Sequence, residues 1–161
     1  MAYTIRPAEP ADVAALVPLF SAYLDALSGM GLRYAPRHEG VAELLESRVK
    51  SRRALLAVAE EDGVLLGFVC AGTRRIGGEY LAEGQGVVGY VDDIYVRPGS
   101  RGRGIASALA DRAEAWMAES GVGAVELHVL LDNPGAAAFW RSRGMEPMSA
   151  LCHKRLPSSN E

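Results

Sequence analysis

The sequence predicts an α/β fold of the α+β kind: a mixed, mostly antiparallel central sheet with one parallel strand pair and helices on both faces. Three observations predict it. Residues 54–59 and 64–72 are apolar runs joined by Glu60-Glu61-Asp62-Gly63. Asp-Gly between two such runs is a strong hairpin signal, so these strands run antiparallel. Residues 87–96 and 123–130 are extended runs that flank a single helical stretch. Strands joined through one helix lie parallel by a right-handed crossover. Finally, amphipathic helices occur both before the hairpin and after it, each with an apolar stripe to bury against a sheet.

The elements follow in order. Tyr3 to Arg6 is a short strand. A helix covers 10–27, with Pro10 in its first turn, where a missing N–H costs nothing. Its stripe is Val13, Leu16, Val17, Phe20, Leu24 and Leu27, and Pro18 within it predicts a kink or break. Ser28 to Glu39 is a loop, and 40–51 is a helix with Val41, Leu44, Leu45 and Val49 on one face. Thr73 to Gly86 is a long glycine-rich connection. After strand 87–96, a helix runs from about Gly102 to Glu119 and stops before Gly121, a C′ glycine. A last helix occupies 133–143, with Asn133 as N-cap, Pro134 at N1 and Gly144 as its stop. Residues 145–155 are extended, and 157–161 are a frayed C-terminal tail behind a single domain, 1–156.

Composition narrows the function. The 161 residues are 49% apolar and 23% charged, ordinary for one globular domain. A net charge of −3 argues against nucleic-acid binding by bulk electrostatics. A local basic cluster is compatible with that charge, and residues 97–103 supply one with Arg97, Arg101 and Arg103. Cys70 and Cys152 have neither metal-ligand spacing nor a disulfide framework, which fits a reducing compartment. With no signal-peptide pattern and no apolar run long enough to cross a bilayer, the expectation is a cytoplasmic protein with no membrane partner. A monomer and a homodimer both fit.

Arg101-Gly102-Arg103-Gly104-Ile105-Ala106 lies between a strand and a helix. Glycines let successive N–H groups point into one concavity, and the helix adds free N–H groups and the positive end of its dipole. That is an anion site suited to phosphate or pyrophosphate. No Gly-Lys-Ser/Thr follows, which excludes a Walker A loop. Gly102, Gly104 and Ser107 match a dinucleotide fingerprint only loosely: Arg97 to Arg101 separate it from the strand, the third glycine is missing, and Glu126 sits mid-strand.

The same six residues match Arg/Gln-x-x-Gly-x-Gly/Ala, and Ile94-Tyr95-Val96-Arg97-Pro98 matches the strand end before it. Asn133, Ala136, Phe139, Trp140 and Gly144 match Asn-x-x-Ala-x-x-Phe/Leu-Tyr-x-x-x-Gly at every spacing, with Trp for Tyr. In these motifs and in element order the chain resembles the GNAT superfamily of N-acetyltransferases. The resemblance implies acetyl-CoA as co-substrate, with its pyrophosphate on the amides of Arg101 to Ala106. It implies a pantetheine arm between parallel strands that splay after residue 96, lying along Ile94, Tyr95 and Val96, with Asn133, Phe139 and Trp140 beside it. It makes the Ile94 N–H the donor to the thioester carbonyl. No metal is implied.

The implied reaction moves an acetyl group directly to an amine of a small molecule or peptide, without an acyl-enzyme. An alkylamine has a pKa near ~10.4, so a base must take a proton before attack. Asp92 is the first candidate, for binding or deprotonating the amine, and Glu126 is next, beside His128. Strand alternation sets Asp92 with Ile94 on one face and Asp93 with Tyr95 on the other. Asp93 is an alternative anchor for the phosphate loop. The acceptor pocket falls to residues 28–40 and 73–86, with Tyr34, His38, Glu39, Glu79, Tyr80 and Glu83 among its candidates. Trp140 departs from the resemblance, because an indole N–H donates a hydrogen bond but not a catalytic proton. It motivates the alternative of a non-catalytic acyl-CoA-binding or regulatory module.

Overall fold

The structure, a computed structural model, describes residues 3–77 and 85–156. Its strands are β1 (Thr4–Pro7), β2 (Ala54–Glu61), β3 (Val64–Arg75), β4 (Val87–Val96) and β5 (Val125–Leu127). They form one sheet in chain order, antiparallel throughout except for the parallel pair β4–β5. The helices are α1 (Val13–Ser28), α2 (Val41–Lys50), α3 (Ile105–Glu119) and α4 (Pro134–Ser142). The β2–β3 turn has Asp62 at φ 50° and Gly63 at φ 78°. Two central residues with positive φ match the right-handed twist of the strands they join, which is why Asp-Gly works there.

Helices cover both faces, as expected. α3 and α4 bury Ile105, Leu109, Ala113, Met117 and Trp140 against Leu55, Val69, Val91 and Val96. α1 and α2 bury Leu16, Phe20 and Leu45 against Leu56, Val58, Phe68 and Cys70. Each fully buried leucine contributes about 1.5–3 kcal/mol by leaving water. The α3 side needs a glycine at 89, because a Cβ there would run into the Met117 side chain.

Several expectations are corrected. α1 runs through Pro18 without a break. The carbonyl facing that proline belongs to Ala14, in the first turn, and the buried stripe holds the rest of the helix to the sheet. Pro10–Ser28, at 19 residues and mean hydropathy 1.3, is apolar and long enough to cross a bilayer by composition. In the fold it packs Val13, Leu16, Leu19 and Phe20 into the core instead. Leu44 of α2 is exposed, whereas Val41 and Leu45 are buried. β5 is shorter than 123–130, and residues 145–156 form no strand. The tail 157–161 lies outside the described residues.

Candidate active site

The centre of the site is a gap between β4 and β5. Only Gly89, Tyr90 and Val91 of β4 pair with β5. The strands therefore part after Val91, not after residue 96, and the last five residues of β4 lack a neighbour on that side. A β-bulge decides what they present. Ala71 pairs with Val91 and Cys70 with Asp93, so Asp92 is the extra residue. The bulge shifts the alternation by one. The Arg97 N–H bonds the Leu66 carbonyl of β3 at 2.9 Å. Counting back in steps of two, Tyr95 and Asp93 also face β3, so Ile94 and Val96 turn their main-chain groups into the gap.

The bulge also overturns the expected placement of side chains. Ile94 packs with the α3 core, while Asp92 and Asp93 both reach Arg48 of α2, at 3.3 and 3.7 Å. Arg74 of β3 makes a second ion pair with Asp92. Asp92 is thus clamped between two guanidinium groups. Asp93 is turned toward α1 and α2, away from the phosphate loop it was expected to anchor. Burial pushes its carboxyl above the ordinary range, opposed chiefly by the charge of Arg48. Tyr95 leaves the gap as well, its ring lying 5.9 Å from that of Tyr23 on the α1 side.

At one end of the gap stands the glycine loop. Gly102 and Gly104 have φ of 75° and 79°, a region that L side chains rarely adopt. Gly104 caps α3 without any side-chain bond, and Ala108 is the first residue to donate back into the helix, to the Gly104 carbonyl at 3.0 Å. Among the described residues the first amides of α3 have no backbone partner outside the helix. Four free N–H groups at the positive end of a fifteen-residue helix are a ready anion site. No Cβ blocks the approach at Gly102, and at Gly104 the nearest atom is the Tyr3 hydroxyl at 3.7 Å. The pyrophosphate of a coenzyme fits this cradle. The arginine side chains contribute less than expected. Arg103 is bidentate to Glu61, at 3.0 and 2.6 Å, and the Arg101 Nε donates to the Val96 carbonyl at 3.1 Å.

The other predicted residues fall in three places. Asn133 is the N-cap of α4, its Oδ1 accepting from the Ala136 N–H at 3.0 Å. Trp140 is 5% exposed in the α3-side core, edge-on to Phe139 at 4.9 Å. Glu126 lies opposite Tyr90 on the sheet. It makes no hydrogen bond or ion pair among the described residues. His128, just past the last β5 residue, is bonded through Nδ1 to the Tyr90 hydroxyl. Tyr34 is 66% exposed, far out on the α1–α2 loop beside His153. His38 and Glu39 are on the same loop, paired with Asp25 and Arg37. Glu79, Tyr80 and Glu83 lie outside the described residues.

Sequence reasoning missed Arg48, Arg74 and Tyr90. Arg48 carried a signal: with Val41 and Leu45 it stands at i, i+4, i+7, a charge on the buried stripe of α2. For Arg74 and Tyr90 there was none, because their meeting depends on strand register.

Comparison with known proteins now decides the family. A family model described as the acetyltransferase (GNAT) family matches residues 19–145. The chain belongs to that family. It is an acyltransferase by that membership. Over 149 residues it is 24% identical to an uncharacterized N-acetyltransferase of Bacillus subtilis, YhfO, covering 92% of this chain and 93% of that one. It is 27% identical over 155 residues to an aminoglycoside N(6')-acetyltransferase type 1 of Stenotrophomonas maltophilia, covering 96% and 93%. A solved aminoglycoside N-acetyltransferase in complex with CoA superposes with a TM-score of 0.77 at 18% identity, covering 97% and 95%. At that identity the likeness concerns the fold.

Proposed function

We propose that this GNAT enzyme transfers the acetyl group of acetyl-CoA directly to the nitrogen of an amine acceptor, within a ternary complex. One observation carries this reading: the unpaired amides at the start of α3 stand at the end of the gap where β4 has parted from β5, and Ile94 turns its main chain into that gap. The cosubstrate supplies a thioester whose thiolate leaves near neutral pH, since a thiol pKa is about 8.5. The residues of the chain do the rest. The amides of Gly102 to Ala106 hold the diphosphate. Ile94 and Val96 bind the arm as an added strand would be bound. The Ile94 N–H stabilises the carbonyl oxygen as negative charge develops on it.

Asp92 and Glu126 were the candidates for the base, and their surroundings separate them. Asp92 is held by two arginines, one on each carboxylate oxygen. Glu126 has no ionic partner among the described residues and is half-buried next to the opening of the gap. Glu126 therefore takes the proton from the ammonium, directly or through one water. Trp140 is a wall of the α3-side core and not a proton donor.

The test is thiol release from acetyl-CoA across a panel of primary amines, with product masses. A gain of 42 Da on the amine, the mass of an acetyl group replacing hydrogen, supports transfer. Tight CoA binding without transfer to any amine or peptide amine would instead indicate the binding module.

A further inference from the structure

Resting on the reading above, the charges around the gap deepen it to a class of acceptor. The face of the sheet opposite α3 carries Arg74, Tyr90, Asp92, Glu126 and His128 beside the opening. Their common orientation follows from contacts. Tyr90 meets His128, Arg74 lies over the Tyr90 ring with its guanidinium carbon 3.4 Å from the centroid, and Arg74 also binds Asp92. Arg48 reaches Asp92 and Asp93 from behind. Two carboxylates thus meet two guanidinium groups. Glu126 is the one carboxylate on this face without an ionic partner among the described residues. Cation and anion a few ångströms apart in a half-buried setting largely cancel one another at the distance of a bound acceptor.

We infer that Arg74 is a specificity-determining residue that neutralises Asp92, leaving Glu126 as the single uncompensated carboxylate on this face among the described residues, so that the enzyme selects a monocationic amine over a polycation. The contact with Tyr90 matters for this role. The guanidinium carbon lies 3.4 Å from the ring centroid, which keeps the half-exposed head group beside the carboxylate, a contact that a planar guanidinium sustains and a lysine ammonium does not. A second positive charge on the acceptor meets Arg74 where an open aspartate would have welcomed it.

The experiment compares kcat/KM for an aralkyl monoamine, a diamine and a tri-cationic aminoglycoside, in wild type, Arg74→Gln and Arg74→Lys, at low and physiological salt. Wild type favours the monoamine, with a shallow salt dependence. Arg74→Gln opens Asp92 and moves the diamine-to-monoamine ratio about threefold to fivefold toward the diamine, the effect of one exposed charge pair worth up to about 1 kcal/mol. Arg74→Lys falls between. A structural role alone would lower all three substrates together and leave the ratio unmoved. Wild-type preference for the polycation, or an unchanged ratio in Arg74→Gln, overturns the inference. If no amine is acetylated while CoA still binds, the functional reading fails. Calorimetric affinities of the same amines for the CoA-loaded protein then give the ratio that decides the inference.

Discussion

At the scale of single residues, engagement by neighbours separates the two candidate carboxylates. Asp92 lies two residues before Ile94 on β4, yet Arg48 and Arg74 hold it, whereas Glu126 has no ionic partner among the described residues. Glu126→Gln keeps the shape and removes the proposed base, so kcat should fall about a hundredfold or more with CoA affinity unchanged. Pre-steady-state acetyl transfer and CoA titration check both halves. A different carboxylate governs stability. Arg6 donates to both oxygens of Asp12, at 2.7 and 2.8 Å, and to Glu60 at 2.7 Å, tying the first strand to the second. The hydrogen bond from Arg6 holds the Asp12 carboxyl below its ordinary range. A depressed folded-state value gives stability that is fully present above the unfolded pKa, about 3.9, and lost as pH falls through the folded value. Asp12→Asn should therefore cost about 1 kcal/mol at neutral pH. It should also flatten the acid limb of the curve of Tm against pH below about pH 4.

At the scale of elements, the bulge in β4 and the turn before α3 do the work. One extra residue turns the Ile94 N–H into the gap and sends both aspartates to Arg48. Two left-handed glycines then let the chain enter α3 with its amides uncovered. Gly104 is the sharper test, because its φ of 79° penalises any side chain. Gly104→Ala carries a backbone cost of about 1–2 kcal/mol and should weaken CoA binding at least several-fold. Gly104→Glu adds bulk and negative charge at the phosphate site and should abolish binding while circular dichroism still reports a folded chain. Retained affinity in Gly104→Glu would remove the loop from the coenzyme site.

At the scale of the whole molecule, the sheet is a partition. α3 and α4 pack the coenzyme side; α1 and α2 pack the other and bring Arg48 to the acceptor side. Close stacking of α3 on β4 fixes where the helix starts, and so where its amides point. Gly89 is the contact that permits this approach, facing Met117. Gly89→Val should destabilise by about 1–3 kcal/mol through overpacking. Adding Met117→Ala should recover part of that loss, giving a non-additive double-mutant cycle by urea denaturation. Equal and additive effects would mean that the two residues do not share a contact.

Much of this was legible in the chain before folding. Asp62-Gly63, the apolar periods, Asn133-Pro134 and the Gly102–Ala106 loop are local signals, since turn geometry, capping and φ preference act over a few residues. They determined the hairpin, the crossover, the mixed sheet and the glycine turn that leaves the amides of α3 free. Only the tertiary structure decided the bulge at Asp92, the early parting of β4 from β5, and the pairing of Arg48 and Arg74 with the aspartates. Those depend on register between strands and on a helix docking 44 positions away in sequence, from Arg48 to Asp92. Charges so far apart along the chain meet only when the core has set their distance, so no local pattern announces them.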